Sequence, residues 1–226
     1  MIAQYLDSYG LPGAGQPLDM GDAAADYFTI IALTQETPDK LNLFWNSTCN
    51  CPIRHPDASK WWGQPDRFSR DQLIPLLVLG CLKGNNTLIH STFVAHLWRG
   101  LLFAWNTRQD GAMAEPWKMP DITGPEVLGL WLRVFKPLGY KLLLPICDIE
   151  TLVNSLLWRF YQPSTNRVTR NVLLVAIAQR QSSTIISWLA DKINNYQDLL
   201  ARWEANTETC GEYPTGPLLR IALGVK

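Results

Sequence analysis

Charge of one prevailing sign is missing from this sequence. Its 20 Lys and Arg are matched by 20 Asp and Glu, and no block of like charge interrupts the chain. That excludes a protein that holds nucleic acid by neutralising phosphates. Long apolar runs are missing too: the longest, Leu73 to Leu82 and Val172 to Ala178, fall far short of the roughly 20 residues a membrane-spanning helix needs. Residues 1–16 carry Asp7, no Lys or Arg, and the start of a Gly/Pro-rich stretch from Gly10 to Pro17, the wrong order for a secretion signal. A cytoplasmic or virion-associated protein is the expectation, with no membrane and no nucleic acid among its partners. The five cysteines are an odd number, and Cys81, Cys147 and Cys210 are scattered in or beside apolar segments, as expected of reduced, buried thiols rather than a disulfide framework. Phosphate-binding Walker loops, dinucleotide fingerprints, H-E-x-x-H and G-x-S-x-G are absent, so phosphoryl transfer, hydride transfer and serine-hydrolase chemistry have no local support, and no cofactor is expected.

Strand signals are scarce. Only Leu41 to Trp45 and Lys141 to Pro145 read as extended, and neither alternates long enough to build a sheet. What the chain has instead is helical period. Val94, Leu97, Trp98, Leu101, Leu102 and Trp105 fall on one face; further stripes use Val127, Leu128, Trp131, Val134 and Phe135, then Leu152, Val153, Leu156, Leu157 and Phe160, then Ile185, Ile186, Leu189 and Ile193. Each stripe needs a partner. Val172 to Ala178, apolar on every side, predicts a helix buried among several neighbours. Helix starts are marked separately: Asp22 before Ala23 to Leu33, Ser69 with Gln72, Thr123 with Glu126 and Pro125 in the first turn, and Asp148 ahead of Leu152. Gly84, Asn85 and Asn86 stop one helix and Thr87 starts the next. With 226 residues and 47% hydrophobic side chains, these signals predict one all-α domain, residues 1–226, an array of seven to nine helices in antiparallel hairpins with an irregular aromatic-rich loop at about residues 36–68.

Chemistry-bearing residues concentrate in and just after that loop. Arg54, His55, Asp57, Trp61, Trp62, Asp66, Arg67, Arg70 and Asp71 lie within nineteen residues. In the functional reading Arg70 and Asp71 open a helix at the rim of a cleft, walled by His55 and the indoles. Ser69, Asp71 and Gln72 read equally as a helix cap with a favourable charge at the positive end of the dipole. Asp22 is an expected N-cap; beside Asp71 it becomes one of two carboxylates at one mouth, the pairing that glycoside hydrolysis uses. Of the ten tryptophans, Trp98, Trp105, Trp131, Trp158, Trp188 and Trp203 lie on or near the stripes as core, whereas Trp45, Trp61, Trp62 and Trp117 lie in loop-like sequence, where an indole suits a sugar ring or a protein partner. Cys49 and Cys51 with His55 and Asp57 could be counted as four metal ligands, but the spacing departs from structural zinc sites and no metal is expected.

Gly21-Asp22-Ala23 opening an early helix, Arg54-His55-Pro56 with Trp61-Trp62, and Phe68-Ser69-Arg70-Asp71-Gln72 opening another together resemble bacterial and phage proteins that are similar to the six-hairpin (α/α) toroids of glycosidases and polysaccharide lyases. The resemblance spans about residues 19–83. It implies a shortened toroid with Asp22, Arg70 and Asp71 near one mouth. The expected function is glycan processing or glycan binding: Asp71 and Asp22 as catalytic candidates, and Arg70, His55, Trp61, Trp62, Asp57 and Arg67 binding a glycan or small-molecule ligand. Any enzyme activity would be that of a glycoside hydrolase or polysaccharide lyase. The alternative is a non-enzymatic helical interaction protein, or a virion-associated structural one, with a protein partner.

Overall fold

A computed structural model describes residues 6–12, 23–48, 50–57, 70–98, 125–161, 166–181, 184–206 and 215–225. Among them the chain is all-α. The helices are α1 (Ala23–Leu33), α2 (Arg70–Lys83), α3 (Thr87–Trp98), α4 (Pro125–Phe135), α5 (Tyr140–Tyr161), α6 (Asn166–Arg180), α7 (Thr184–Asn194), α8 (Tyr196–Asn206) and α9 (Thr215–Leu223). The only sheet among the described residues is a two-residue hairpin, β1 (Trp45–Asn46) antiparallel to β2 (Cys51–Pro52).

Two helices make the centre. α2 packs against α1, α4 and α6, and α6 also packs against α7 and α8. Both are apolar nearly all round, as a helix with neighbours on every side must be: Leu73 to Leu79 and Leu173 to Ala178 are buried throughout. Each fully buried Leu or Ile contributes about 1.5–3 kcal/mol, so these two helices carry much of the folding free energy. Gly84, in the left-handed region at φ +96°, ends α2 by donating its N–H to the Gly80 carbonyl, and Asn86 Oδ1 accepts the Ile89 N–H to cap α3. α3 and α4 are joined through rings, with Phe93 set 5.0 Å from Trp131 and 4.6 Å from Phe135.

Several expectations are corrected. Lys141 to Pro145 is not extended but forms the first turns of α5, with Pro145 inside the helix. Asp148 does not cap a helix: it lies mid-way along α5, and both carboxylate oxygens accept from Arg133 Nη2 of α4, at 2.6 and 2.7 Å. A buried carboxylate needs a cation, and Arg133 at fifteen residues' remove supplies it. The third correction is the face that α5 buries. Cys147, Asp148, Thr151, Leu152 and Ser155 are buried, while Val153, Leu156 and Leu157 are exposed. Polar residues turn inward because they are satisfied there: Thr151 donates to the Cys147 carbonyl and Ser155 to that of Thr151, and Asp148 has Arg133. Trp188 and Ile185 of α7, also expected in the core, are 58% and 72% exposed. The cysteines divide: Cys81 and Cys147 are free thiols, but Cys51 is in a disulfide whose partner lies outside the described residues.

Because the Arg133 and Asp148 side chains are only 9% and 3% exposed, Arg133→Met is expected to cost about 3–5 kcal/mol by leaving the buried Asp148 charge without its cation, the neutral Gln179 amide, 3.4 Å away, still donating to it. The double variant Arg133→Met/Asp148→Leu is expected to recover most of that loss. Urea unfolding of both variants beside the wild type checks it.

Candidate functional site

The site is built at the N-terminus of α2, and a proline determines its form. Pro75 sits inside α2 and has no N–H, so the carbonyl four residues earlier, that of Asp71, has no intrahelical donor. Arg170 of α6 supplies one from Nη2 at 3.3 Å, while its Nη1 donates to Asp26 Oδ1 of α1 at 2.8 Å. The Arg170 side chain is 5% exposed. Next to it, Asn171 donates from Nδ2 to Asp71 Oδ1 at 2.9 Å. One guanidinium and one amide of α6 therefore fix the heads of α1 and α2. Arg70, the first residue of α2, reaches across to α4, its Nη1 lying 3.4 Å from Glu126 Oε1.

Between α2, α4, α5 and α6 this arrangement leaves a pocket of about 210 Å³. Its wall has two characters. Ile74, Pro125, Val172 and Val175 form an apolar side; Arg70, Glu126, Thr151, Asn154, Ser155 and Asn171 form a polar one. Thr151 and Ser155 spend their protons on backbone carbonyls, so they offer lone pairs. Glu126 offers a carboxylate. Asn171 is 7% exposed, and its Oδ1 has no hydrogen-bond donor among the described residues. A buried carbonyl left in that state costs about 1–3 kcal/mol; the residue that carries it is one of those lining the pocket. The polar side thus presents mainly acceptors.

Of the residues selected from the sequence, Arg70 lines this pocket, and Asp71 stands behind it, tied to Asn171. His55 and Asp57 do not line it. His55 is 1% exposed: its Nδ1 accepts the Asp57 N–H at 3.0 Å, which leaves Nε2 to donate to Asp7 Oδ2 at 2.5 Å. Asp7 Oδ1 in turn accepts from the Tyr9 and Leu11 amides, and the Tyr9 hydroxyl donates to Asp57. These two residues anchor the 6–12 segment to the segment after β2. Asp22, Trp61, Trp62 and Arg67 lie outside the described residues, as does Ser69. Cys51, being in a disulfide, offers no thiolate to a metal.

The sequence reading missed Asp26, Arg170, Asn171, Asn154 and the pocket role of Glu126. One signal was present: Arg170-Asn171 are two polar residues immediately before the run Val172 to Ala178, where the apolar stretch of α6 begins. No family model matches the chain, and no curated protein or solved structure gives a significant match.

A second cavity, of about 470 Å³, lies beside the ends of α4 and α5, with Cys81, Arg133, Lys136, Lys141 and Asp148 in its wall. Arg133 is committed to Asp148. Burial pushes the Cys81 thiol up to about 12, against the smaller opposing effect of Arg133 and Lys136, so it stays protonated and is a poor nucleophile.

A raised thiol pKa favours the folded state only while the proton is kept. The unfolded chain releases it from about pH 9 and the folded chain not until about 12, so this contribution to stability is complete below pH 9 and is lost as pH rises toward 12. Tyr27, raised from 10 to about 12 by burial, adds to the same decline. Denaturant midpoints measured from pH 8 to 11 are expected to fall, less steeply in Cys81→Ala, and native Cys81 is expected to resist iodoacetamide at pH 8 until the protein is unfolded.

Proposed function

We propose that the protein binds a neutral, hydroxyl-rich ligand, a single sugar residue of a glycan, in the pocket between α2, α4, α5 and α6. The observation that carries this reading is the mixed lining of the pocket, with Glu126, Thr151, Asn154 and Ser155 beside Ile74, Val172 and Val175. The wall has matching chemistry: Glu126, Thr151 and Ser155 accept from hydroxyl groups, and Ile74, Val172 and Val175 suit the C–H face of a ring. About 210 Å³ suits one ring rather than a drug-sized molecule, for which pockets begin near 300 Å³. A neutral sugar is favoured over an acidic one because Arg70 already faces Glu126.

Binding fits the geometry better than turnover. Hydrolysis of a glycosidic bond uses two carboxyl groups flanking the bond, and among the described residues Glu126 is the carboxylate in the wall. Asp71 acts here as a positioning residue, holding Asn171. The resemblance to the (α/α) toroids of glycosidases agrees with a glycan ligand, and a shortened toroid remains the proposed arrangement of the hairpins. The second reading, a helical interaction or virion-associated protein, has its own support in the apolar outer face of α5. Among the described residues no helix is long and apolar enough to cross a membrane. The disulfide at Cys51 favours a virion-associated over a cytoplasmic setting, since cytosolic proteins rarely keep one.

Isothermal titration with neutral hexoses and N-acetylhexosamines tests the proposal. The expected result is binding of at least one of them with a Kd of about 0.1–5 mM, the range open to a ligand of a dozen heavy atoms. Glu126→Gln and Ser155→Ala are expected to weaken it at least about tenfold, the effect of one lost hydrogen bond to a buried or charged partner. Absence of binding to every sugar in the panel, or binding unchanged in both variants, would overturn it.

A further inference from the structure

α5 is amphipathic in the wrong sense for a helix of a lone domain. Its small and polar residues, Asp148, Thr151 and Ser155, face inward, and its large apolar ones face out. Leu142, Ile146, Ile149, Val153 and Leu156 are 79%, 55%, 51%, 48% and 39% exposed. Their spacing is four, three, four, three. That is the heptad pattern, in which residues 3.5 apart on average form a straight seam along a helix, and it is the pattern by which two helices pack knobs into holes. The β-branched residues Ile146 and Val153 fall on one of the two alternating seam positions, and Leu142, Ile149 and Leu156 on the other. Leu143 and Leu157, 54% and 48% exposed, widen the seam on one side.

The helix cannot turn this face inward. The two short bonds from Arg133 to Asp148 fix its rotation against α4, and Thr151 and Ser155 line the pocket from the opposite side. The exposed apolar surface of these seven side chains is about 600–700 Å², above the roughly 300–600 Å² of the largest patch on a typical monomer and close to the ~800 Å² that each partner buries in a standard stable interface. The exposed charges among the described side chains of α5 are Lys141 and Glu150, and neither occupies a seam position. A lipid surface would favour a rim rich in Lys and Arg, which α5 lacks among its described side chains, whereas a seam free of charge sets no like charges against each other when it meets a copy of itself.

We propose that the chain forms a two-fold homodimer through α5, the seam of one copy packing on the seam of the other. This interface is separate from the pocket, which opens between other faces of the same helix bundle, and it does not rest on the sugar-binding reading. A two-fold contact is self-complementary by construction: one stripe of one helix supplies both sides.

Sedimentation equilibrium at micromolar concentration reads the result directly. The wild type is expected at twice the 25.6 kDa of one chain. Ile149→Glu and, separately, Val153→Gln are expected to shift the mass to that of one chain, with helical circular dichroism retained in at least the milder Val153→Gln. Ile149→Cys is expected to give a disulfide-linked species of double mass on oxidation that the wild type does not give. A wild type sedimenting at 25.6 kDa overturns the proposal, as does a double mass unchanged in both seam variants. A wild-type monomer that instead co-sediments with phosphatidylcholine vesicles overturns it in favour of a lipid surface.

Discussion

The guanidinium of Arg170 is held between the Asp26 carboxylate and the Asp71 carbonyl that Pro75 leaves without a donor, and the heads of α1, α2 and α6 meet there. Each part of this arrangement requires the others. A carbonyl at the start of a buried helix must find a donor; a buried cation must find a carboxylate; and α6, apolar beyond Asn171, can lie against α2 only if the charge at its head is satisfied. The proline that would weaken an isolated helix is thus accommodated by a residue 95 positions later in the chain. Asn171, in the pocket's polar wall, is set by the same junction through its bond to Asp71.

Two of the helices around the pocket follow the ordinary rule, with apolar residues filling a shared interior. α5 departs from it. Its inner face gives the pocket Thr151, Asn154 and Ser155, and its Asp148 is held by Arg133. Had that face been apolar, it would have filled the space between α4 and α6 and left no polar wall. The polar pocket inside and the apolar seam outside are two consequences of one helix orientation, which links a ligand-binding reading of the interior to an association surface on the exterior.

Much of the helical framework was legible in the sequence because it is written in local pattern. Gly21-Asp22 before Ala23, and Ser69 to Gln72 before Leu73, mark helices that the structure begins at Ala23 and Arg70. Gly84 ended α2 as its φ requires. The failures share a cause. Asp148 looks like a cap and Pro145 like an interruption to any reading of neighbours along the chain, but Arg133 and the turn at Pro137 to Gly139 let α5 run through both. The stripe from Leu152 to Leu157 was visible as a stripe; which way it faces depends on Arg133, and no period in α5 reports that. In the candidate site, Arg70 and Asp71 could be singled out because they open a helix. Asp26, Arg170 and Asn171 could not be joined to them, since the separations of up to 144 residues are closed only by the fold. His55 and Asp57 stood out for the same density of polar groups, and their partners Asp7 and Tyr9 lie 48 residues earlier in the chain.

Arg170 holds the junction by bridging α1 and α2. A double-mutant cycle over Asp26→Asn and Arg170→Met, with stability measured by urea unfolding, tests this most directly. A bridge predicts coupling of about 1–3 kcal/mol between the two substitutions, the double variant being less destabilised than the sum of the singles. Effects that add within about 0.5 kcal/mol would contradict it, because residues that do not interact are additive to that extent.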